Sequence, residues 1–350
     1  MKDLPAASAN YLTAGAAEAH HSERVHGMSD VVCVGIIVAD VWGRPIDDQP
    51  EHGRLMLVDE MGIGIGGCAA NAGIGLAKMG VDTAIMGKVG DDGFGRFLRE
   101  AMQEEGIDTS GIRVSEEKGT SATMIMIDSQ GERTFMHCIG ANATMRPQDI
   151  DMRQVAAAEI FHFAGALVMP GFDGPPAASV MKAAQEAGTT TALDVVWDDT
   201  GRWMELLEPV LPYTDIFLPS LAEAVEITGE TDPGAVAEVL MDHGVKTVGL
   251  KMGEEGCYVR TADHEIRAPA YDVEVIDGTG SGDAFVAGFL LGSLAGWELE
   301  DVAHFANAVG ALCVTAPGTT TGLRDFEGTI DFLVEREGER WRELAGQVNL

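Results

Sequence analysis

The chain has 350 residues and 46% hydrophobic content, enough for one large α/β domain or a domain with a small appendage. Its 56 acidic residues against 23 Lys and Arg give a formal net charge of −33, which argues against nucleic acid as a partner because a phosphate backbone demands a basic surface. No apolar run reaches membrane-spanning length, and five scattered cysteines without a CxxC pair point to a reduced, cytoplasmic setting and away from a zinc site.

Residues 1–27 lack periodicity and an apolar core segment, so they read as a disordered extension, not a signal peptide, with Met28 a second candidate start. The run 31–37 is continuously apolar, as a strand buried on both faces must be, and Asp40 follows it. Residues 42–60 are polar and turn-rich. The series Gly62-x-Gly64-x-Gly66-Gly67 leads into a helix expected over 69–79 and closed by Gly80. A strand at 83–86, a glycine loop at 87–95 and a helix at 96–105 complete a βαβα pattern. Segments 120–127 and 132–137 alternate apolar and polar around Ser129-Gln130-Gly131, a hairpin signal.

The remainder alternates again. Strands are expected at 160–163, 191–195, 216–218 and 247–252, with helices at 177–187, 221–228 and 235–243. A hairpin follows at 257–260 and 265–268, then helices at 284–294 and 299–315. This order implies a doubly wound, mostly parallel sheet with helices on both faces. The segments near 42–60 and 120–138 lie outside it and read as a small β lid. The expected domain is 28–335, with a C-terminal tail at 336–350. His137 and His162 fall in strands and read as packed side chains.

The stretch Ile276-Asp277-Gly278-Thr279-Gly280-Ser281-Gly282-Asp283 organises the chain. Three glycines alternate between two aspartates, and a helix starts at once. A strand end, glycine turn and helix N-terminus together expose unpaired N–H groups and the positive end of a helix dipole, which favours an anion. A carboxylate beside that cradle suggests phosphoryl transfer. The GxxxxGK[ST] and GxSxG spacings are absent, and the glycine series at 62–66 is misplaced for a dinucleotide fingerprint.

Residues 276–283 resemble the C-terminal signature of the ribokinase-like (PfkB) carbohydrate kinase family, Asp-Thr-x-Gly-Ala-Gly-Asp. Gly278 stands for the usual Thr or Ser, and Ser281 for the usual Ala. Residues 66–71, running on to 87–95, resemble the N-terminal signature of the same family, about 200 residues earlier. The resemblance spans roughly 31–333.

The resemblance implies an ATP-dependent kinase that transfers the γ-phosphate to a hydroxymethyl group of a sugar: a ketose, pentose or sugar acid. The alternatives are a nucleoside kinase of the same family or a non-catalytic sugar-binding regulator. Asp283 would be the base, and Gly280, Ser281 and Gly282 the anion hole. Asp40, Gly67, Asn71 and Asn142 would hold the sugar. Ser220, Lys251, Gly253, Gly256 and Asn307 would serve the nucleotide, with Ser220 in place of the family's Asn. Glu223 would order water around Mg²⁺. Asp277 and the carbonyls of Thr279, Cys313, Ala316 and Gly318 would hold a monovalent cation such as K⁺. Gly165 and Val38 stand where ribokinases carry a Glu and an Asn, which argues against a strict ribose kinase. Arg44, Arg54, Lys88 and Arg133 are the basic groups near the lid that a sugar phosphate would need. A homodimer through the lid strands is expected.

Overall fold

The computed structural model describes residues 29–50 and 52–348, so the expected extension at 1–27 and Met28 lie outside the described residues. Its first half runs β1 (Val31–Gly35), β2 (Val38–Arg44), β3 (Glu60–Gly66), α1 (Cys68–Lys78), β4 (Thr83–Gly90), α2 (Gly93–Glu104), β5 (Ile112–Ser115), β6 (Ala122–Ile127) and β7 (Arg133–Cys138). There follow α3 (Met152–Val155), β8 (Ile160–Ala166), α4 (Pro175–Glu186), β9 (Thr190–Val195), α5 (Trp203–Leu207), β10 (Ile216–Phe217), α6 (Leu221–Thr228), α7 (Pro233–Asp242) and β11 (Thr247–Lys251). The chain ends with β12 (Cys257–Arg260), β13 (Glu265–Ala268), α8 (Ser281–Leu294), α9 (Leu299–Cys313), α10 (Phe326–Glu337) and α11 (Arg340–Ala345).

Nine strands form one sheet in the order β13-β12-β11-β10-β9-β8-β1-β4-β5. All neighbours are parallel except β11–β12 and β12–β13. β1 and β8 are buried at every position, which explains their uninterrupted apolar sequence. α8 is apolar on almost every side because it is enclosed: nine of its residues, Ala284 to Gly292, are buried. α1 packs on it closely. A Cβ on Gly75 would stand 2.8 Å from the Ala287 methyl group, so glycine sets that helix-to-helix distance. Among the described residues no helix is long and apolar enough to cross a membrane.

The second sheet, ordered β3-β2-β6-β7, is the lid. It begins earlier than the turn-rich reading of 42–60 implied, because β2 carries straight on through Asp40. The glycines at 62–66 are strand residues. The register pairs Trp42 with Gly62, Asp40 with Gly64 and Val38 with Gly66, so all three glycines lie on the Asp40 face. A Cβ on Gly62 would come within 2.3 Å of the Trp42 ring, and one on Gly66 within 2.1 Å of Asp40 Oδ2. The glycines clear room for their neighbours' side chains. The glycine loop at 87–95 is also shorter than expected, since β4 runs to Gly90.

The expected tail at 336–350 is not a tail over its described part. α10 spans its start and α11 follows, with Trp341 fully buried and its ring 6.0 Å from that of Trp297. A tryptophan at this depth supplies enough apolar area to dock a short terminal helix.

Candidate active site

The site forms where the N-termini of α1 and α8 meet. Gly67, at the start of α1, has φ 94°, and a Cβ there would strike the Ile36 carbonyl oxygen at 2.5 Å. Gly280, before α8, is left-handed at φ 82°, and a Cβ there would lie 2.5 Å from the Thr319 carbonyl oxygen. Only glycine fits both conditions. No side chain caps Gly280, and the Gly282 N–H in the first turn of α8 remains a donor for an anion, while the Ser281 N–H makes a long 3.4 Å bond to the Gly278 carbonyl. Asn71 Nδ2 donates to Asp283 Oδ2 at 2.8 Å, joining the two signatures across 212 residues of sequence. Asn71 Oδ1 is buried without a hydrogen-bond partner, an acceptor that an incoming hydroxyl would satisfy.

On the lid face Asp40 pairs in register with Thr123, which pairs with His137. Thr123 Oγ1 lies 3.1 Å from His137 Nδ1. Burial pushes the Asp40 carboxyl up to about 6, against the pull of the Thr123 hydrogen bond. Arg133 reaches from β7 to the anion turn, where it pairs with Asp277 and hydrogen-bonds the Thr279 hydroxyl. The other basic groups expected near the lid are placed elsewhere. Arg44 pairs with Glu60, Lys88 with Asp149, and Arg54 lies on the exposed β2–β3 connection.

Several expected ligands have their polar atoms turned to the protein itself. Asn142 clamps the backbone of Ile37, accepting from its N–H at 3.4 Å and donating to its carbonyl at 3.1 Å. Asn307 Nδ2 holds the carbonyls of Ala268 and Pro269, both at 3.0 Å. Ser220 and Glu223 form a capping box at the start of α6, with Glu223 Oε2 taking both bonds from Ser220. Gly253 and Gly256 bound the turn after β11 with φ 60° and 86°, and a Cβ on Gly256 would meet the Ala268 carbonyl oxygen at 2.1 Å. The nucleotide loop thus keeps its glycines while its expected amide faces inward.

Lys251 also departs from expectation. It ends β11 with Nζ 3.0 Å from Asp194 Oδ1, with Asp194 buried and Lys251 partly so. Burial pulls the Lys251 ammonium down, but Asp194, Glu223 and Asp283 around it outweigh burial and hold it above its ordinary value. Burial pushes Asp194 up, against the pull of Lys251.

The expected cation ligands come together only in part. Asp277 accepts from the N–H groups of Thr279 at 2.8 Å and Gly318 at 2.7 Å, besides its pair with Arg133. Burial raises its carboxyl, and Arg133 with these N–H groups more than reverses that. The Cys313 thiol donates to the Thr319 carbonyl at 3.2 Å, and no contact places Ala316 in the set. Arg133 supplies positive charge beside the Asp277 carboxylate.

A carboxylate at an uncapped helix N-terminus, bonded to an amide from a second helix, is suited to deprotonating a hydroxyl beside an anion. The family model described as pfkB family carbohydrate kinase matches residues 28–325. The chain belongs to the pfkB family of carbohydrate kinases. It is 32% identical to an uncharacterized sugar kinase of Archaeoglobus fulgidus, over 71% of this chain and 98% of that one. It is 29% identical to the 2-dehydro-3-deoxygluconokinase of Bacillus subtilis, over 81% and 90%. The Arabidopsis thaliana ribokinase solved with ribose and ATP superposes with a TM-score of 0.78 at 26% identity, covering 87% of this kinase and 99% of that chain. The ribokinase-like doubly wound fold expected from the sequence is the observed one.

Sequence reasoning missed Asp194, Cys68 and the engagement of Arg133 in this kinase. A signal existed for the first: Asp194 is the one charged residue in the otherwise uncharged strand 190–195, and Lys251 is likewise alone in 247–251. Two lone opposite charges in buried strands should be expected to pair.

Proposed function

We propose that this carbohydrate kinase passes the γ-phosphate of ATP to the hydroxymethyl group of a free sugar or sugar acid, with Asp283 as the base. The Asn71–Asp283 hydrogen bond, with Asn71 Oδ1 left buried and unpartnered, carries the reading. It puts a proton acceptor and an unmet acceptor for a sugar hydroxyl in one place, beside the uncapped N-terminus of α8. The sugar hydroxyl attacks the γ-phosphorus in line, Asp283 takes its proton, and ADP leaves with the electron pair of the broken P–O bond. Gly280, Ser281 and Gly282 hold charge on the transferring group through backbone N–H groups. Asp40 and Gly67 border the sugar. Mg²⁺, bound with the nucleotide and ordered through water by Glu223, would neutralise phosphate charge.

The engaged basic groups of the lid and the absent side chain at Gly165 favour a free sugar over a sugar phosphate and over strict ribose recognition. A Cβ on Gly165 would stand 2.7 Å from Ile36, so no larger residue fits there without movement. The lid's other face favours a homodimer: Ile63, Val41, Met124 and Met136 share one cross-strand row, and Ile63, Met124 and Met136 are 40%, 52% and 51% exposed. ATP consumption against free sugars, sugar acids, sugar phosphates and nucleosides, with Mg²⁺ in low and molar KCl, tests the reading. Turnover with a free sugar or sugar acid is expected. Turnover confined to nucleosides, or ATP binding without turnover across the panel, would contradict it. The KCl series also separates a surface adapted to high salt from an ordinary acidic one, since structure lost in low salt marks the former.

A further inference from the structure

Beneath the proposed base lies a buried cluster that phosphoryl transfer as described does not use. Lys251 Nζ is 3.5 Å from where a Cβ on Gly282 would sit, so the ammonium lies directly under the first turn of α8. One oxygen of Asp194, one of Asp283 and the Cys68 thiol all lie within 4.8 Å of one another. Each comes from a different element: β9, α8 and α1, with Lys251 from β11.

The remaining titratable groups around the cluster are few. Glu223 on α6 acts on Lys251, Lys251 acts on His162 of β8, and Asp283 and Asp277 act on Cys313 of α9. Burial, and then Lys251, hold His162 down to about 3, so it is neutral. Burial pushes the Cys68 and Cys313 thiols up, so neither is a thiolate. Arg133 already pairs with Asp277. The immediate charge under the anion turn therefore comes from three carboxylates, Asp194, Glu223 and Asp283, around one ammonium, and Asp194 is the one that lies against Asp283.

We propose that Lys251 is a positioning residue for phosphoryl transfer: paired with Asp194, it balances the charge under the anion turn so that Asp194 does not compete with the base for its proton. The proposal rests on the reading of Asp283 as base. Two carboxylates this close share a proton when no cation stands between them, and a base that holds that proton cannot accept another. The same ammonium makes the Cys68, Asp194 and Asp283 group unsuitable for a metal ion, since the positive charge there is already supplied.

The test is the pH profile of kcat/KM in the intact protein for Lys251→Met, Asp194→Asn, the double variant and Lys251→Arg. Lys251→Met should move the acid limb up by about one to three pH units, the usual effect of a neighbouring charge. Asp194→Asn removes the rival carboxylate and should move the limb down. The double variant should return near the original position, and Lys251→Arg should stay close to it. If Lys251→Met does not fold, Asp194→Asn and the double variant still decide, because a purely structural pair would lower thermal midpoints and leave the limb in place. An unmoved limb in Asp194→Asn, or a double variant that does not return, overturns the proposal. Asp283→Asn keeps the two readings apart: near-normal turnover there would refute the base itself, whereas lost turnover with unmoved limbs in the other variants refutes only the role of Lys251.

Discussion

The floor of the site and its lid are built on opposite terms. The floor is enclosed: α1 and α8 meet over a nine-stranded sheet, and the charges there are paired at fixed distances. The lid is a four-stranded sheet with one face to the site and large apolar side chains in solvent on the other. Chemistry needs groups held within a few tenths of an ångström, which burial provides. Substrate choice can rest on a face that adapts. On the proposed function, turnover belongs to the floor, and the lid, through Asp40, adds sugar selection to the contacts of Gly67 and Asn71.

Variants should separate the two. Asp283→Asn strikes the floor hardest and should cut turnover on the order of 10²–10⁴, the range for loss of a general base. Asn71→Ala removes a hydrogen bond to a carboxylate and should lower kcat/KM about 10- to 100-fold. Asn142→Ala tests a residue the sequence assigned to the sugar. It should cost about 1–3 kcal/mol in stability for each Ile37 backbone group left unpaired, read by denaturant midpoint, with sugar KM unchanged. Gly66→Ala acts on the lid alone. Its new Cβ would stand 2.1 Å from Asp40 Oδ2 and must displace that carboxylate, so sugar KM should rise about tenfold at unchanged ATP KM.

The sequence displayed the floor well because its chemistry is local. Gly280, Gly282 and Asp283 lie within one turn, and a glycine turn opening a helix announces an anion site whatever packs around it. Strands such as 31–35 were legible because burial on both faces leaves no polar position. What stayed hidden depends on partners distant in sequence. Lys251 and Asp194 are 57 residues apart, and Asn142 meets Ile37 across 105. An asparagine offers the same donor and acceptor to a sugar hydroxyl and to a peptide group, so its type cannot say which it serves. The role of the glycines at 62–66 was hidden for a similar reason: the Trp42 and Asp40 side chains for which they clear space lie on the neighbouring strand. α10 and α11 gave no signal because their docking depends on Trp341 meeting Trp297 and Phe305 from another helix pair.

Steady-state kinetics of Asp283→Asn and Gly66→Ala, measured side by side with the best sugar acceptor, test the division most directly. The account predicts that Asp283→Asn loses kcat with both KM values nearly unchanged, while Gly66→Ala raises sugar KM and keeps kcat. If both variants lose kcat and raise KM together, floor and lid act as one unit and the division is wrong.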